Sequence, residues 1–155
     1  MRGVPSETYP GEVGVQQLLD EADWLTWRPP LPRFSRTAAK GGQDIWGAFD
    51  IIGLRADSPV LGVQVGPASK GARKKREVQR ALGDYFVLPL THHLSTQLWL
   101  WNEGKRRGPR WDVWELHMIA EGLGVKPDWW LIGAVKREGG SVMPEQVWPL
   151  SKEVL

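Results

Sequence analysis

The stretch from Gln43 to Arg80 decides the fold, and it divides into QDIWGAFDIIGL at 43–54, VLGVQVG at 60–66 and KGARKKREVQR at 70–80. The first two segments contain continuous apolar runs separated by turn residues, which predicts two buried strands, over 48–54 and 61–65, paired as a hairpin. The third predicts a helix over 71–82. Positions i, i+3 and i+7 share one side of a helix, so its arginines form an exposed face: Arg73, Arg76 and Arg80.

The segments around this centre complete the predicted domain. Helical spacing of apolar residues predicts a first helix from Glu12 to about Asp23, after a frayed leader over 1–11. We further predict strands over 24–27, 86–90 and 97–101, a Pro/Gly-rich basic loop over 29–43, and a helix over 111–123 closed by glycines. This order predicts an α/β fold with a central mixed sheet flanked by helices. The core would span 1–108, and a C-terminal helical extension over 109–155 would pack on the same domain.

Length and composition exclude several classes of protein. A chain of 155 residues with 41% hydrophobic and 25% charged residues suits one globular domain. It has no cysteine, hence no disulfide and no thiolate metal site. No apolar run approaches the roughly 20 residues of a membrane span, and the first residues lack the apolar stretch of a signal peptide. We therefore expect a cytoplasmic protein.

Charge is distributed unevenly along the chain. Residues 28–110 carry fifteen basic and six acidic side chains, a net charge of +9. Residues 1–27 carry one basic and five acidic side chains, and residues 111–155 carry four and seven, which gives −4 and −3. A basic middle between acidic ends is typical of nucleic-acid binding, because neutralising phosphates releases counterions. A solvated basic face is the alternative explanation.

Two polar residues interrupt the predicted apolar strands. Asp50 lies within an apolar stretch, where a carboxylate is costly unless it is paired, protonated or bound to a metal. Gln64 occupies a comparable place on the next strand, and pairing of the two strands would bring the side chains together. Hard cations such as Mg²⁺ bind carboxylate and carbonyl oxygens. The alternative is that Asp50 caps a strand edge and Gln64 bonds the backbone.

These residues resemble the PD-(D/E)xK nuclease superfamily, in particular archaeal-type Holliday junction resolvases and their phage-encoded relatives. The family has a helix beginning with glutamate, a strand ending in arginine, an aspartate strand and a (D/E)xK strand. Here Glu12 stands sixteen residues before Arg28, Asp50 matches the aspartate, and Gln64-Val65-Gly66 occupies the (D/E)xK position. The match covers roughly residues 10–102. It implies a restriction-endonuclease-like core that hydrolyses DNA with Mg²⁺ or Mn²⁺, held by Glu12, Asp50 and Gln64.

The chain departs from the family at two positions of this motif. Gln64 replaces a carboxylate, and Gly66 replaces a lysine that would stabilise developing negative charge. Lys70 or Lys74, from the following turn and helix, could supply the missing ammonium group. The catalytic candidates are therefore Asp50, Gln64, Lys70 and Lys74. A catalytically inactive DNA- or protein-binding module is the alternative.

The resemblance also implies the partners. These are DNA, including branched DNA such as Holliday junctions, and a second copy of the chain in a homodimer. Two groups of cations would contact phosphates: Arg33, Arg36 and Lys40 in the loop, and Arg73, Lys74, Lys75, Arg76 and Arg80 on the helix. A further alternative is a transcription regulator, because IAEGLGVKPDWWLIG at 119–133 resembles part of the helix-turn-helix domain of Cro/CI-type repressors.

Overall fold

The structure is a computed structural model that describes residues 9–29, 45–83, 93–104 and 108–136. Helix α1 spans Gly11–Glu21 and is followed by strands β1 (Leu25–Trp27), β2 (Ile51–Leu54) and β3 (Val60–Pro67). A short 3-10 turn at Ala68–Lys70 leads into helix α2, Gly71–Leu82. Strands β4 (Leu94–Asn102), β5 (Arg110–Glu121) and β6 (Gly124–Val135) complete the described chain.

The six strands form one mixed sheet in the order β1-β2-β3-β4-β5-β6. Strands β3 and β4 are parallel, from the pair Val60↔Leu94 to the pair Pro67↔Trp101. The other neighbouring strands are antiparallel. A parallel pair needs a crossover connection, and α2 lies in that connection. The predicted α/β class is thus confirmed, with a mixed sheet flanked by two helices.

The larger core lies on the α1 face of the sheet. Val15 and Leu19 of α1 are fully buried there against alternate residues of β3, including Val63 and Val65. Tryptophans from β4 and β5 fill the rest of this layer, and Trp101 and Trp111 meet edge to face with ring centroids 5.1 Å apart. The pattern follows from strand geometry, because every second side chain of a strand points to the same face.

The smaller core lies on the α2 face, where Ala48 and Phe49 pack against Val78 and Leu82 of the helix. Two glycines of β3 make room for close contacts on this face. A Cβ at Gly62 would lie 2.7 Å from the Phe49 ring, much closer than real Cβ contacts. The second of these glycines contributes to the candidate site described below.

The sequence prediction was wrong about the C-terminal part. The segment predicted as a helix over 111–123 is strand β5, so the described residues of the C-terminal helical extension continue the same sheet. Alternate residues Trp111 and Val113 complete the apolar layer beside β4; packing of aromatic and β-branched residues decides such cases. The segment 119–133 likewise lies in the β5–β6 hairpin and does not form a helix-turn-helix. Residues 137–155 lie outside the described chain.

Other predicted elements have mixed outcomes. Helix α2 has the predicted bounds, and α1 and β3 lie within two residues of theirs. The second predicted strand begins only at Ile51, because Ala48 lies in a turn and Asp50 in a bend. The predicted strand over 86–90 and most of the basic loop over 29–43 lie outside the described residues. Within the part of the chain that the structure describes, no helix is long and apolar enough to cross a membrane.

Candidate functional site

Asp50 is the first residue of the site, and the backbone of β3 holds it in place. Its side chain is buried, with the residue only 7% exposed. The backbone N–H of Asp50 donates to the carbonyl oxygen of Val63 over 2.7 Å, and the N–H of Val65 donates to the Asp50 carboxylate Oδ2 over 2.8 Å. A charge-assisted bond from a backbone N–H is one of the stronger ways to hold a buried carboxylate. The carboxylate is therefore fixed at the C-terminal end of β3.

Gln64 lies in the middle of β3 and is 6% exposed. Its Nε2 donates to the carbonyl oxygen of Ala48 over 2.7 Å, and its Oε1 accepts from the Nζ of Lys74 over 3.2 Å. If the amide oxygen and nitrogen were exchanged, the oxygen would face the Ala48 carbonyl oxygen and the NH2 group would face the Lys74 ammonium, so neither hydrogen bond could form. The orientation of the amide is thus determined, with its oxygen toward the lysine.

Lys74 reaches β3 from the first half of α2, and Gly66 makes that approach sterically feasible. A Cβ at Gly66 would lie 2.3 Å from the Cε and 2.6 Å from the Cδ of Lys74. The aliphatic stem of Lys74 therefore crosses the strand where a side chain at position 66 would stand. Positions 64 and 66 share one face of the strand, so the Lys74 ammonium comes to the side of Gln64. Lys70, by contrast, is exposed at the start of α2.

Glu12 approaches from the first turn of α1. Its Oε1 lies 3.5 Å from Nη1 of Arg28, and Nε of the same arginine donates to Oε1 of Gln16 over 2.7 Å. The Glu12–Arg28 pair is partly exposed and contributes little to stability by itself. It holds the guanidinium of Arg28 between β1 and the start of α1.

Tyr9 is a neighbour of the site that the sequence analysis missed, because residues 1–11 were interpreted as a frayed leader. Burial, together with the negative charges of Asp50 and Glu12, raises the pKa of Tyr9 to about 12. Its ring centroid lies 6.0 Å from that of Trp111. The phenol is thus within electrostatic range of both carboxylates. An aromatic residue before the Pro-Gly at the helix start was the only sequence signal.

The cations of α2 divide into two sets. Arg73, Arg76 and Arg80 are exposed, as predicted, and Nε of Arg73 pairs with Glu77 over 3.4 Å. Lys74 and Lys75 instead turn toward the protein, and Nζ of Lys75 lies 3.4 Å from the ring centroid of Trp114. Burial lowers the pKa of Lys75. The other predicted phosphate contacts, Arg33, Arg36 and Lys40, lie outside the described residues.

A second polar cluster lies between β4 and β5, on the α1 face. Glu115 Oε2 accepts from Ser95 Oγ over 2.7 Å and from Gln97 Nε2 over 3.1 Å, and Glu115 Oε1 lies 2.8 Å from Nε2 of His117. Burial acts to raise the pKa of Glu115, but the three bonds and the charge of His117 outweigh it, and the pKa is lowered. We call these four residues the strand cluster, and Asp50, Gln64 and Lys74 the site cluster.

Each oxygen group predicted to bind a metal ion has a protein partner: the Asp50 carboxylate accepts from the N–H of Val65, the Gln64 amide oxygen accepts from Lys74, and Glu12 pairs with Arg28. Among the described residues no group of three or more His, Cys, Asp or Glu side chains is arranged to hold a metal ion. Two carboxylates with an amide and water still fit Mg²⁺, which keeps several of its waters in proteins. They do not fit zinc, which prefers nitrogen and sulfur ligands.

Comparisons with known proteins add no relative. No protein-family model, no curated protein and no solved structure matches this chain.

Proposed function

We propose that this protein is a metal-dependent DNA endonuclease of the PD-(D/E)xK type, with Lys74 in the role of the missing motif lysine. The observation that carries the proposal is the crossing of Lys74 over Gly66, which brings its Nζ to 3.2 Å from Gln64 Oε1. A lysine supplied by a helix thus occupies the space of the lysine absent from the strand.

The order of elements supports the same proposal. The resemblance implies a glutamate-bearing helix, a strand followed by arginine, an aspartate strand, the motif strand and then a helix. The chain has α1 with Glu12, β1 followed by Arg28, and then Asp50, β3 and α2. The Glu12–Arg28 contact joins the first two members of this set. We extend the proposal to a restriction-endonuclease-like core, a cytoplasmic location and the homodimer that the resemblance implies.

The groups of the site divide the work of phosphodiester hydrolysis. Asp50 and Glu12, with the Gln64 oxygen, would hold Mg²⁺ or Mn²⁺, which polarises a phosphate and lowers the pKa of a bound water. Lys74 holds a positive charge where negative charge develops on the phosphate oxygens. Gln64 positions that ammonium by accepting its hydrogen bond, and Ala48 positions Gln64. The amide supplies less charge to a metal than a carboxylate would, so we expect weak affinity for the metal ion.

DNA cleavage is the direct test of this proposal. The wild-type protein is incubated with linear, flap and four-way DNA in Mg²⁺ or Mn²⁺, and we expect cleavage that EDTA stops. Asp50→Asn should abolish it, because the amide removes the charge that the metal needs. Asp57→Asn is the matched control, since Asp57 is an exposed turn residue with φ +63°, a conformation that asparagine tolerates. Equal cleavage by the wild type and Asp50→Asn would refute the proposal.

The exposed arginines of α2 give a second, independent test on DNA binding. Affinity for duplex DNA should fall with salt with a log–log slope of about −0.9 for each neutralised phosphate. Replacing Arg73, Arg76 and Arg80 with glutamine should reduce the magnitude of this slope by up to about 2.7, which is about 0.9 for each of three lost phosphate contacts. Lys126→Gln on the exposed β5–β6 hairpin should leave the slope unchanged. A slope that the triple variant does not alter would place the DNA surface elsewhere.

The second candidate function is a binding module without catalysis. The observation that favours it is the amide of Gln64, which lacks charge and already bonds Ala48 through its nitrogen and Lys74 through its oxygen. Salt-dependent DNA binding by a wild type that cleaves none of the three substrates would support this module over the nuclease.

A further inference from the structure

A strained turn immediately before Asp50 presents a tryptophan to solvent. The turn is closed at Ile45 and Phe49, where the N–H of Ile45 donates to the Phe49 carbonyl over 2.7 Å and the N–H of Phe49 donates back over 3.1 Å. Within it Trp46 has φ +55° and Gly47 φ +72°. Glycine adopts the left-handed region freely, whereas a bulky aromatic residue there is an outlier that costs free energy.

At Trp46 the free-energy cost of the positive φ is not offset by burial of the side chain. The residue is 64% exposed, and its ring meets Phe49 at an edge, with centroids 6.0 Å apart. Most of the indole face is therefore open to solvent. Strain of this kind persists in proteins mainly where the resulting geometry has a function.

The turn is connected to the site cluster and to the basic helix. The carbonyl of Ala48 is the acceptor for Gln64, and Asp50 follows the turn directly. On the other side, a Cβ at Gly47 would lie 3.7 Å from the Cβ of Ala81, next to the exposed Arg80 on α2. Three residues lie between Trp46 and Asp50, and the four Cα–Cα steps limit the distance between their Cα atoms to about 14 Å. That distance corresponds to about four base-pair steps of DNA.

We propose that Trp46 is a stacking platform for an unpaired nucleobase close to the phosphate that lies in the site. This inference rests on the proposed DNA function. An exposed indole on a turn that packs against the basic helix α2 matches the requirements of single-stranded or unpaired DNA, whose bases stack on aromatic rings while the backbone meets positive charge. Stacking is independent of base identity, since every base has a π face. Trp46 would thus direct the protein to DNA with unpaired bases.

The test compares a duplex with the same duplex carrying a single-base bulge labelled with 2-aminopurine. Divalent metal is omitted so that binding is measured without cleavage. The wild type should bind the bulged DNA more tightly and change the 2-aminopurine fluorescence. Trp46→Ala should weaken binding of the bulged DNA by about tenfold and leave the paired duplex almost unchanged. Trp130→Ala is the matched control, because Trp130 is 49% exposed on β6; it should behave as the wild type.

A second variant separates a stacking role from a role in folding. Trp46→Gly removes the strain of a positive φ, so its melting temperature should equal or exceed that of the wild type while the preference for the bulge is lost. A wild-type preference for the bulge that Trp46→Gly and Trp46→Ala both retain would overturn the inference. So would a wild type that binds both DNAs equally with unchanged 2-aminopurine fluorescence. Absence of salt-dependent binding to either DNA would instead refute the DNA function itself.

Discussion

The site cluster and the strand cluster are both built from buried and partly buried polar side chains, but they differ in how the chain assembles them. The strand cluster joins residues of two paired strands, and Gln97 and Glu115 are direct partners in the register. The site cluster joins a bend, a strand and a helix, and it requires a glycine at position 66 so that Lys74 can pass. A cluster that needs such special backbone geometry has a cost in stability that function can explain.

The two clusters also differ in electrostatics. In the strand cluster three hydrogen bonds converge on Glu115 and lower its pKa despite burial, so the carboxylate is stabilised by its own neighbours. In the site cluster a backbone N–H holds Asp50, and the negative field of Asp50 extends to Tyr9. The Lys74 ammonium bonds the neutral Gln64. We infer that the strand cluster serves stability, whereas the site cluster keeps charges of both signs available to a ligand.

The largest expected effect is loss of cleavage when Lys74 is changed. Lys74→Met keeps the apolar stem but removes the ammonium, and should lower the cleavage rate by about 10²–10³-fold, as for other groups that stabilise developing charge. Lys70→Met is the matched control from the start of α2 and should change the rate little. Single-turnover rates on the preferred DNA measure both. Comparable losses in the two variants would mean that the lysines act only as phosphate contacts.

Moving the lysine back to the strand sharpens this test. Gly66→Lys alone should damage the site, because a Cβ there lies 2.3 Å from Lys74 Cε. Gly66→Lys combined with Lys74→Ala removes the conflict and should recover part of the lost rate. If the double variant is well folded and as inactive as Lys74→Met, then Lys74 does not stand in for the motif lysine.

Sequence reasoning was most successful where the pattern is local. The amphipathic period of α2 predicted its bounds, and the apolar run at 61–65 predicted β3. The two apolar runs separated by turn residues likewise predicted the antiparallel pairing of β2 with β3, although Asp50 lies in a bend just before β2. These features depend on residues close in the chain, and the structure agrees with each.

It failed where packing between distant segments decides the outcome. The alternation of buried residues in β5 is completed only by contact with β4, so a sequence with helix-like glycine boundaries folds as a strand. The choice between Lys70 and Lys74 depends on the space above Gly66, which no local pattern records. Tyr9 was missed because its packing partner, Trp111, lies about a hundred residues away along the chain.

An intermediate effect is expected when the amide of the site cluster becomes a carboxylate. Gln64→Glu places a carboxylate oxygen where Nε2 donates to the Ala48 carbonyl over 2.7 Å, so two acceptors face each other. The loss in free energy of unfolding should be about 2 kcal/mol without metal. Added Mg²⁺ should restore more stability to this variant than to the wild type, since the charge strengthens metal binding. Urea unfolding with and without Mg²⁺ measures both quantities.

The control for this prediction is Gln79→Glu on α2. Its Oε1 accepts a bond from Trp129 Nε1 over 2.8 Å, and a carboxylate can accept the same bond. Unfolding of this variant should therefore respond to Mg²⁺ as the wild type does. A Gln64→Glu variant whose stability is insensitive to Mg²⁺ would argue against a metal ion in the site cluster.

The smallest expected effect comes from the strand cluster and concerns acid stability alone. Ser95→Ala removes one of the bonds that lower the pKa of Glu115, at a cost of about 1.5 kcal/mol at neutral pH. The contribution of a carboxylate with a lowered pKa is present above its usual value of 4.5 and is lost as the pH falls through the folded-state pKa. The difference in free energy of unfolding between the wild type and Ser95→Ala should thus be constant near neutrality and become smaller below about pH 4.5.

The control is Ser58→Ala, in the β2–β3 turn, whose difference from the wild type should not become smaller in acid. DNA cleavage by Ser95→Ala should match that of the wild type. A loss of cleavage in the folded Ser95→Ala variant would contradict the division between the two clusters, because it would show that the strand cluster acts on the site rather than on stability.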